Sequence, residues 1–127
     1  MARILLVDDM PMVRKTIGRL LRSEGHDVLD AADVQEAQSH LNEAVFDLAL
    51  CDIWMPGGSG LDLMRRMKDI YPGVPVIIMS GGGPQAPLEY SLAVAETDGA
   101  AAVLVKPFED EQLLRAVDNI LAHRSSI

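Results

Sequence analysis

The chain is short of several things, and each shortage excludes something. It has a single cysteine, Cys51, among 127 residues. No internal disulfide can form, and one thiol fits a reducing compartment. Aromatic residues make up only 4%, which removes the stacking platforms that single-stranded nucleic acids require. Basic residues are outnumbered, 11 Lys plus Arg against 19 Asp plus Glu, for a net charge of −8. Such a field repels a phosphate backbone, so no direct nucleic-acid partner is expected. No apolar run approaches the length of a membrane span. The start, Met1-Ala2-Arg3, leads straight into a strand and lacks the apolar stretch of a secretory signal. No membrane partner and a cytoplasmic location are therefore expected. His26, His40 and His123 lie far apart in sequence, without metal-ligand spacing.

What remains is 49% hydrophobic and 24% charged, enough for one domain over residues 1–127 with a proper core. Strand-length apolar runs alternate with segments of helical period, the pattern of repeated βα units and a parallel sheet. The runs are Arg3–Val7, His26–Ala31, Leu48–Cys51, Val76–Met79 and Ala102–Val105. Between them, Val13, Ile17, Leu20 and Leu21 mark a first helix over Pro11–Ser23, ended by Gly25. Further helices are predicted over Val34–Asn42, from Leu61 to Met67, over Leu88–Glu96, and around Leu113, Val117 and Leu121. Met55–Gly60 and Ser80–Pro87 read as loops, the latter with three consecutive glycines.

Four of the runs end on residues able to handle a phosphoryl group or a metal: Asp8 and Asp9, Asp52, Ser80, and Lys106. In an open α/β sheet these ends converge on the edge where ligands bind. Clustered carboxylates suit a hard divalent cation such as Mg²⁺. With the cation in place, Asp52 can accept a phosphoryl group as an aspartyl-phosphate. Lys106 offers a compact positive charge and Ser80 a hydroxyl for phosphoryl oxygens. Each feature alone has a plainer explanation: an N-cap, a turn former, the start of a loop. Their joint placement in successive βα units does not.

The stretches ILLVDDMPMVR (Ile4–Arg14), FDLALCDIWMPGGSG (Phe46–Gly60), PVIIMS (Pro75–Ser80) and GAAAVLVKPF (Gly99–Phe108) resemble those of a response-regulator receiver domain. This is the phosphoacceptor module of two-component signalling. The resemblance implies a doubly wound, flavodoxin-like α/β fold with a five-stranded parallel sheet in the order 2-1-3-4-5 and five helices. It implies that Asp52 is phosphorylated by a histidine kinase or histidine phosphotransfer protein. It implies Mg²⁺ or Mn²⁺ held by Asp9 directly, by Asp8 through water, by Asp52 and by the backbone carbonyl of Trp54. Ser80, with Gly81 beside it, and Lys106 would bind the phosphoryl group, with the Lys106–Pro107 bond cis. A downstream protein target or a fused output domain would read the change.

The sequence departs from that family at three places. Val103 stands where an aromatic residue usually reports phosphorylation, so the signal is expected to leave through the 80–97 loop and helix instead. Trp54 would shield the acyl-phosphate from water, whereas Gly82 would open the other side. Arg14, Lys15, Arg19 and Arg22 give the first helix a basic stripe, either a solvated face or a docking surface for an acidic kinase domain. The expected role is a phosphorylation switch and not a turnover enzyme. The alternative is a Mg²⁺-dependent phosphohydrolase, which would need a second acid/base carboxylate that Cys51–Trp54 does not supply. A flavodoxin-like cofactor carrier would need a glycine- or hydroxyl-rich phosphate loop where this chain has Asp-Asp-Met-Pro.

Overall fold

Three central strands, Arg3–Val7, Leu48–Asp52 and Val76–Ser80, are buried almost end to end and must be covered on both faces. The computed structural model, which describes residues 2–55, 58–80 and 99–125, covers them with helices. In chain order the elements are β1 (Arg3–Val7), α1 (Pro11–Ser23), β2 (Asp27–Ala31), α2 (Val34–Glu43), β3 (Leu48–Asp52), β4 (Trp54–Met55) and β5 (Gly58–Ser59). They continue with α3 (Gly60–Ile70), β6 (Val76–Ser80), β7 (Ala102–Val105) and a last helix, α4 (Asp110–Ser125). The main sheet is parallel throughout, in the order β2-β1-β3-β6-β7. Counted among the five strands that is 2-1-3-4-5, as the resemblance implies. Four helices lie among the described residues; the one expected over Leu88–Glu96 falls outside them.

The pleat divides the core in two. Leu5, Val7, Ala49, Cys51 and Ile78 point toward α2 and α3, where they meet Ala37, Leu41, Leu63, Met64 and Met67. Ile4, Leu6, Leu48, Leu50, Ile77 and Met79 point the other way, to Ile17 and Leu21 of α1 and Leu113 and Val117 of α4. Each fully buried Leu or Ile of this kind contributes about 1.5–3 kcal/mol relative to exposure.

Local chemistry sets the ends. Pro11 occupies the first position of α1, where its missing N–H costs nothing. Gly25 closes that helix at φ +87°. Its N–H bonds to Arg22 O and the His26 N–H to Leu21 O, the paired bonds of a Schellman turn. Asp33 caps α2 by accepting from the Glu36 N–H at 2.8 Å, and Glu36 reaches back to the Ala32 N–H. Ser59 caps α3 by accepting from the N–H groups of Leu61 and Asp62. The segment expected to be plain loop, Met55–Gly60, instead includes one strand of a two-rung antiparallel ladder, with Trp54 opposite Ser59 and Met55 opposite Gly58. Glycine and proline composition signals a reversal there, but pairing this short leaves no periodicity to read.

Candidate functional site

Parallel register carries the polar residues to one edge. Val7 pairs with Cys51, Asp52 with Met79, and Ser80 with Val105. The residues at or just past those rungs, Asp8, Asp52, Ser80 and Lys106, therefore crowd together at the carboxyl ends of β1, β3, β6 and β7. Asp8, Asp52 and Ser80 are buried polar residues in an otherwise apolar interior.

Asp8 is tied on every side. One carboxylate oxygen accepts from the Met10 N–H at 2.9 Å, and the other accepts from Lys106 Nζ at 2.8 Å. Its N–H donates to Ala31 O at 3.1 Å. The aspartate thus shapes the loop ahead of α1, but it is not the helix cap: that position is Met10, with no side-chain cap bond. Lys106 Nζ also lies 3.5 Å from Asp52 Oδ2. It bridges two carboxylates while its own side chain keeps 22% exposure. The Lys106 N–H donates to Ser80 O at 2.8 Å, and the Lys106–Pro107 bond is cis.

Oxygen atoms of Asp8, Asp9 and Asp52 come within 4.8 Å of one another. Like charges 4.8 Å apart repel by about 3.5 kcal/mol per pair at an effective dielectric near 20. One lysine cannot balance three carboxylates, and an all-oxygen donor set with a partly exposed member suits a hard divalent cation. The residues present fit that group.

Behind the site, the Cys51 thiol is fully buried and its pKa is pushed up to about 12, chiefly by burial and secondarily by the Asp52 carboxylate. It stays protonated and packs as core. Val103 packs against the α2/α3 side of the core opposite Ile78, a position no aromatic ring occupies. Gly81, Gly82 and the 81–98 segment lie outside the described residues, as does the Trp54 side chain.

Two residues emerge that sequence reading did not single out for these roles. Gly60 opens α3 with its N–H bonded to Ile53 O at 3.0 Å, and a Cβ there would run into the Asp52 carbonyl. Arg14, grouped by sequence with a basic stripe read as a solvated face or a docking surface, turns inward instead: Nη1 donates to the Asp8 carbonyl at 2.8 Å. Arg22, of the same stripe, donates to Val28 O at 3.0 Å. Lys15 and Arg19 stay exposed. They belong to the same helix as one wall of a groove of about 500 Å³ between α1 and the Lys106–Leu113 segment, lined by Met12, Thr16, Leu20, Pro107, Phe108 and Leu113, with Lys106 and Asp110 as its charged members. Met12 is 73% exposed.

A doubly wound sheet with an acidic cluster and a lysine at its carboxyl edge is an α/β domain whose candidate ligand site lies outside the strand ends. Residues 4–118 match the response regulator receiver domain family, and the chain belongs to it. Receiver domains are signalling domains, and the family typically binds Mg²⁺. The transcriptional regulatory protein GlrR of Escherichia coli is 34% identical over 122 residues, covering 94% of this chain. The chain spans only 26% of GlrR's length. A receiver domain crystal structure from Clostridium thermocellum superposes with a TM-score of 0.89 at 31% identity, covering 98% of both chains. The response regulator TrrA of Thermotoga maritima, crystallised with Mg²⁺-BeF, gives 0.82 at 28% identity over 94% of this chain and 99% of its own.

Proposed function

We propose that residues 1–127 form one receiver domain, acting in the cytoplasm, whose Asp52 accepts a phosphoryl group from a phosphohistidine of a kinase or phosphotransfer partner. The observation that carries this reading is the Lys106 bridge between Asp8 and Asp52 at the carboxyl edge of the sheet. An Asp52 carboxylate oxygen attacks phosphorus as the P–N bond to the donor imidazole breaks, and the bonding pair returns to the ring nitrogen. Lys106, released from part of its pairing, offers its charge to a phosphoryl oxygen. Ser80, buried on the neighbouring strand end and joined to Lys106 through the backbone, supplies a hydroxyl. Asp8, Asp9, Asp52 and the Trp54 carbonyl would hold Mg²⁺ or Mn²⁺. When bound, the cation supplies the countercharge that lets an anionic donor approach three carboxylates. The chain transfers and loses its own phosphoryl group and turns over no other substrate. A downstream protein target or a fused output domain reads the modified surface.

Incubation with a labelled acyl phosphate and Mg²⁺ should load wild type with one phosphoryl group and leave Asp52→Asn unlabelled. Equal labelling of the variant would exclude Asp52 as the acceptor.

The partner's seat is the groove between α1 and Pro107–Leu113, an apolar floor with exposed Met12, and the exposed Lys15 and Arg19 of the same helix supply positive charge beside it on an acidic protein. Reversing Lys15 and Arg19 to Glu should slow transfer from an acidic phosphohistidine donor by roughly tenfold at low salt and far less at high salt. Autophosphorylation by a small acyl phosphate should be unaffected. A transfer rate insensitive to the reversal would place the partner elsewhere.

A further inference from the structure

Arg14 lies one turn into α1 but serves the loop before it. Nη1 donates to the Asp8 carbonyl at 2.8 Å, and Nε lies 3.4 Å from Asp30 Oδ2 near the end of β2. The Arg14 side chain is only 19% exposed, so it offers little to a docking partner. Asp8 has other anchors, in Ala31, Met10 and Lys106. Asp9 has none of that kind: half-buried, its carboxylate makes no hydrogen bond or ion pair among the described residues.

The peptide unit is planar, so fixing the Asp8 carbonyl also fixes the amide nitrogen and Cα of Asp9. The direction in which the Asp9 side chain leaves the backbone then depends on whatever holds that carbonyl. Arg14 holds it, and the guanidinium fork suits two acceptors on different elements. We infer that Arg14 is a positioning residue for the divalent-cation site: it aims Asp9 by clamping the Asp8–Asp9 peptide, while Asp30 keeps the guanidinium in place. This rests on reading Asp8, Asp9 and Asp52 as the cation's ligands.

Thermal unfolding titrated with Mg²⁺ alone reports the affinity, because binding to the folded state raises Tm by mass action. Groups that orient metal ligands typically carry 10- to 100-fold in affinity, so Arg14→Ala should raise the apparent Mg²⁺ dissociation constant by about tenfold. Arg14→Lys keeps the charge but loses the fork and should fall between the two, with roughly a fourfold rise. Asp30→Asn should show a smaller rise than Arg14→Ala. The Mg²⁺ concentration for half-maximal phosphorylation by an acyl phosphate should follow the same ranking, with the rate at saturating Mg²⁺ falling much less. A purely structural Arg14 would lower the metal-free Tm and leave the Mg²⁺ constant alone. A constant within about twofold of wild type in Arg14→Ala, or in Arg14→Lys should the alanine variant not fold, overturns the inference while Asp9→Asn still weakens binding. If Asp9→Asn leaves the Mg²⁺ response of Tm unchanged, the metal reading fails and the inference with it.

Discussion

Lys106→Met should lower stability in the absence of divalent cations by about 2–4 kcal/mol and slow phosphorylation of Asp52 by two orders of magnitude or more. Among the described residues, Lys106 pairs with both Asp8, which is fully buried, and Asp52, which is nearly so. Removing it leaves two close carboxylates facing each other in a site that water barely reaches. The figure sits below that of a fully buried pair because the lysine side chain keeps 22% exposure and solvent screens part of the interaction. The sign of the metal effect discriminates the cause. With the competing ammonium gone, Mg²⁺ should recover a larger share of stability in the variant than it adds to wild type. Urea unfolding in EDTA and in Mg²⁺ measures both. A variant as stable as wild type in EDTA, or one to which Mg²⁺ adds no more than to wild type, would mean that Lys106 does not neutralise the carboxylates.

Gly60→Ala should carry the second large effect, and through the backbone. The added methyl would press on the carbonyl oxygen and carbon of Asp52, and these have no flexible side chain to yield. Overpacking of this sort costs about 1–3 kcal/mol. It also displaces the residue that takes the phosphoryl group, and misplacement by an ångström can cost on the order of 100-fold in rate. Gly73 is the matched control, since a Cβ there meets nothing within 4 Å. Gly73→Ala should leave Tm and phosphorylation rate close to wild type while Gly60→Ala lowers both. Equal behaviour of the two variants would remove the packing argument.

Lys106 and Gly60 differ in how far the sequence makes them legible. Lys106, Asp8, Asp9 and Asp52 were readable because each sits at or just past the end of a short apolar run, and parallel register then has only one place to bring them. The sheet order came with the motifs, the strand bounds with the strand-length apolar runs and the helix bounds with the 3.6-residue period, most closely over Pro11–Ser23 and Ala102–Val105. Gly60 stayed hidden because a glycine demanded by a neighbour's backbone looks the same in sequence as one that merely bends a loop. Arg14 was misassigned for a related reason. Spacing puts it with Lys15 and Arg19 in a basic helix, yet a long side chain near the start of a helix can curl back to the preceding loop, and only three-dimensional proximity to the Asp8 carbonyl reveals that it does. The same blindness applied to Lys106, whose shorter contact is with Asp8 and not with Asp52.

The central claim is that the phosphoryl group resides on Asp52, and chemistry can mark that carbon directly. After loading with an acyl phosphate in Mg²⁺, borohydride reduces an aspartyl-phosphate to homoserine, and peptide sequencing by mass spectrometry locates the converted residue. Homoserine at position 52 alone, absent when Mg²⁺ is withheld, is the expected result. Homoserine at position 8 or 9, or no conversion in a protein that has taken up phosphoryl label, would contradict it.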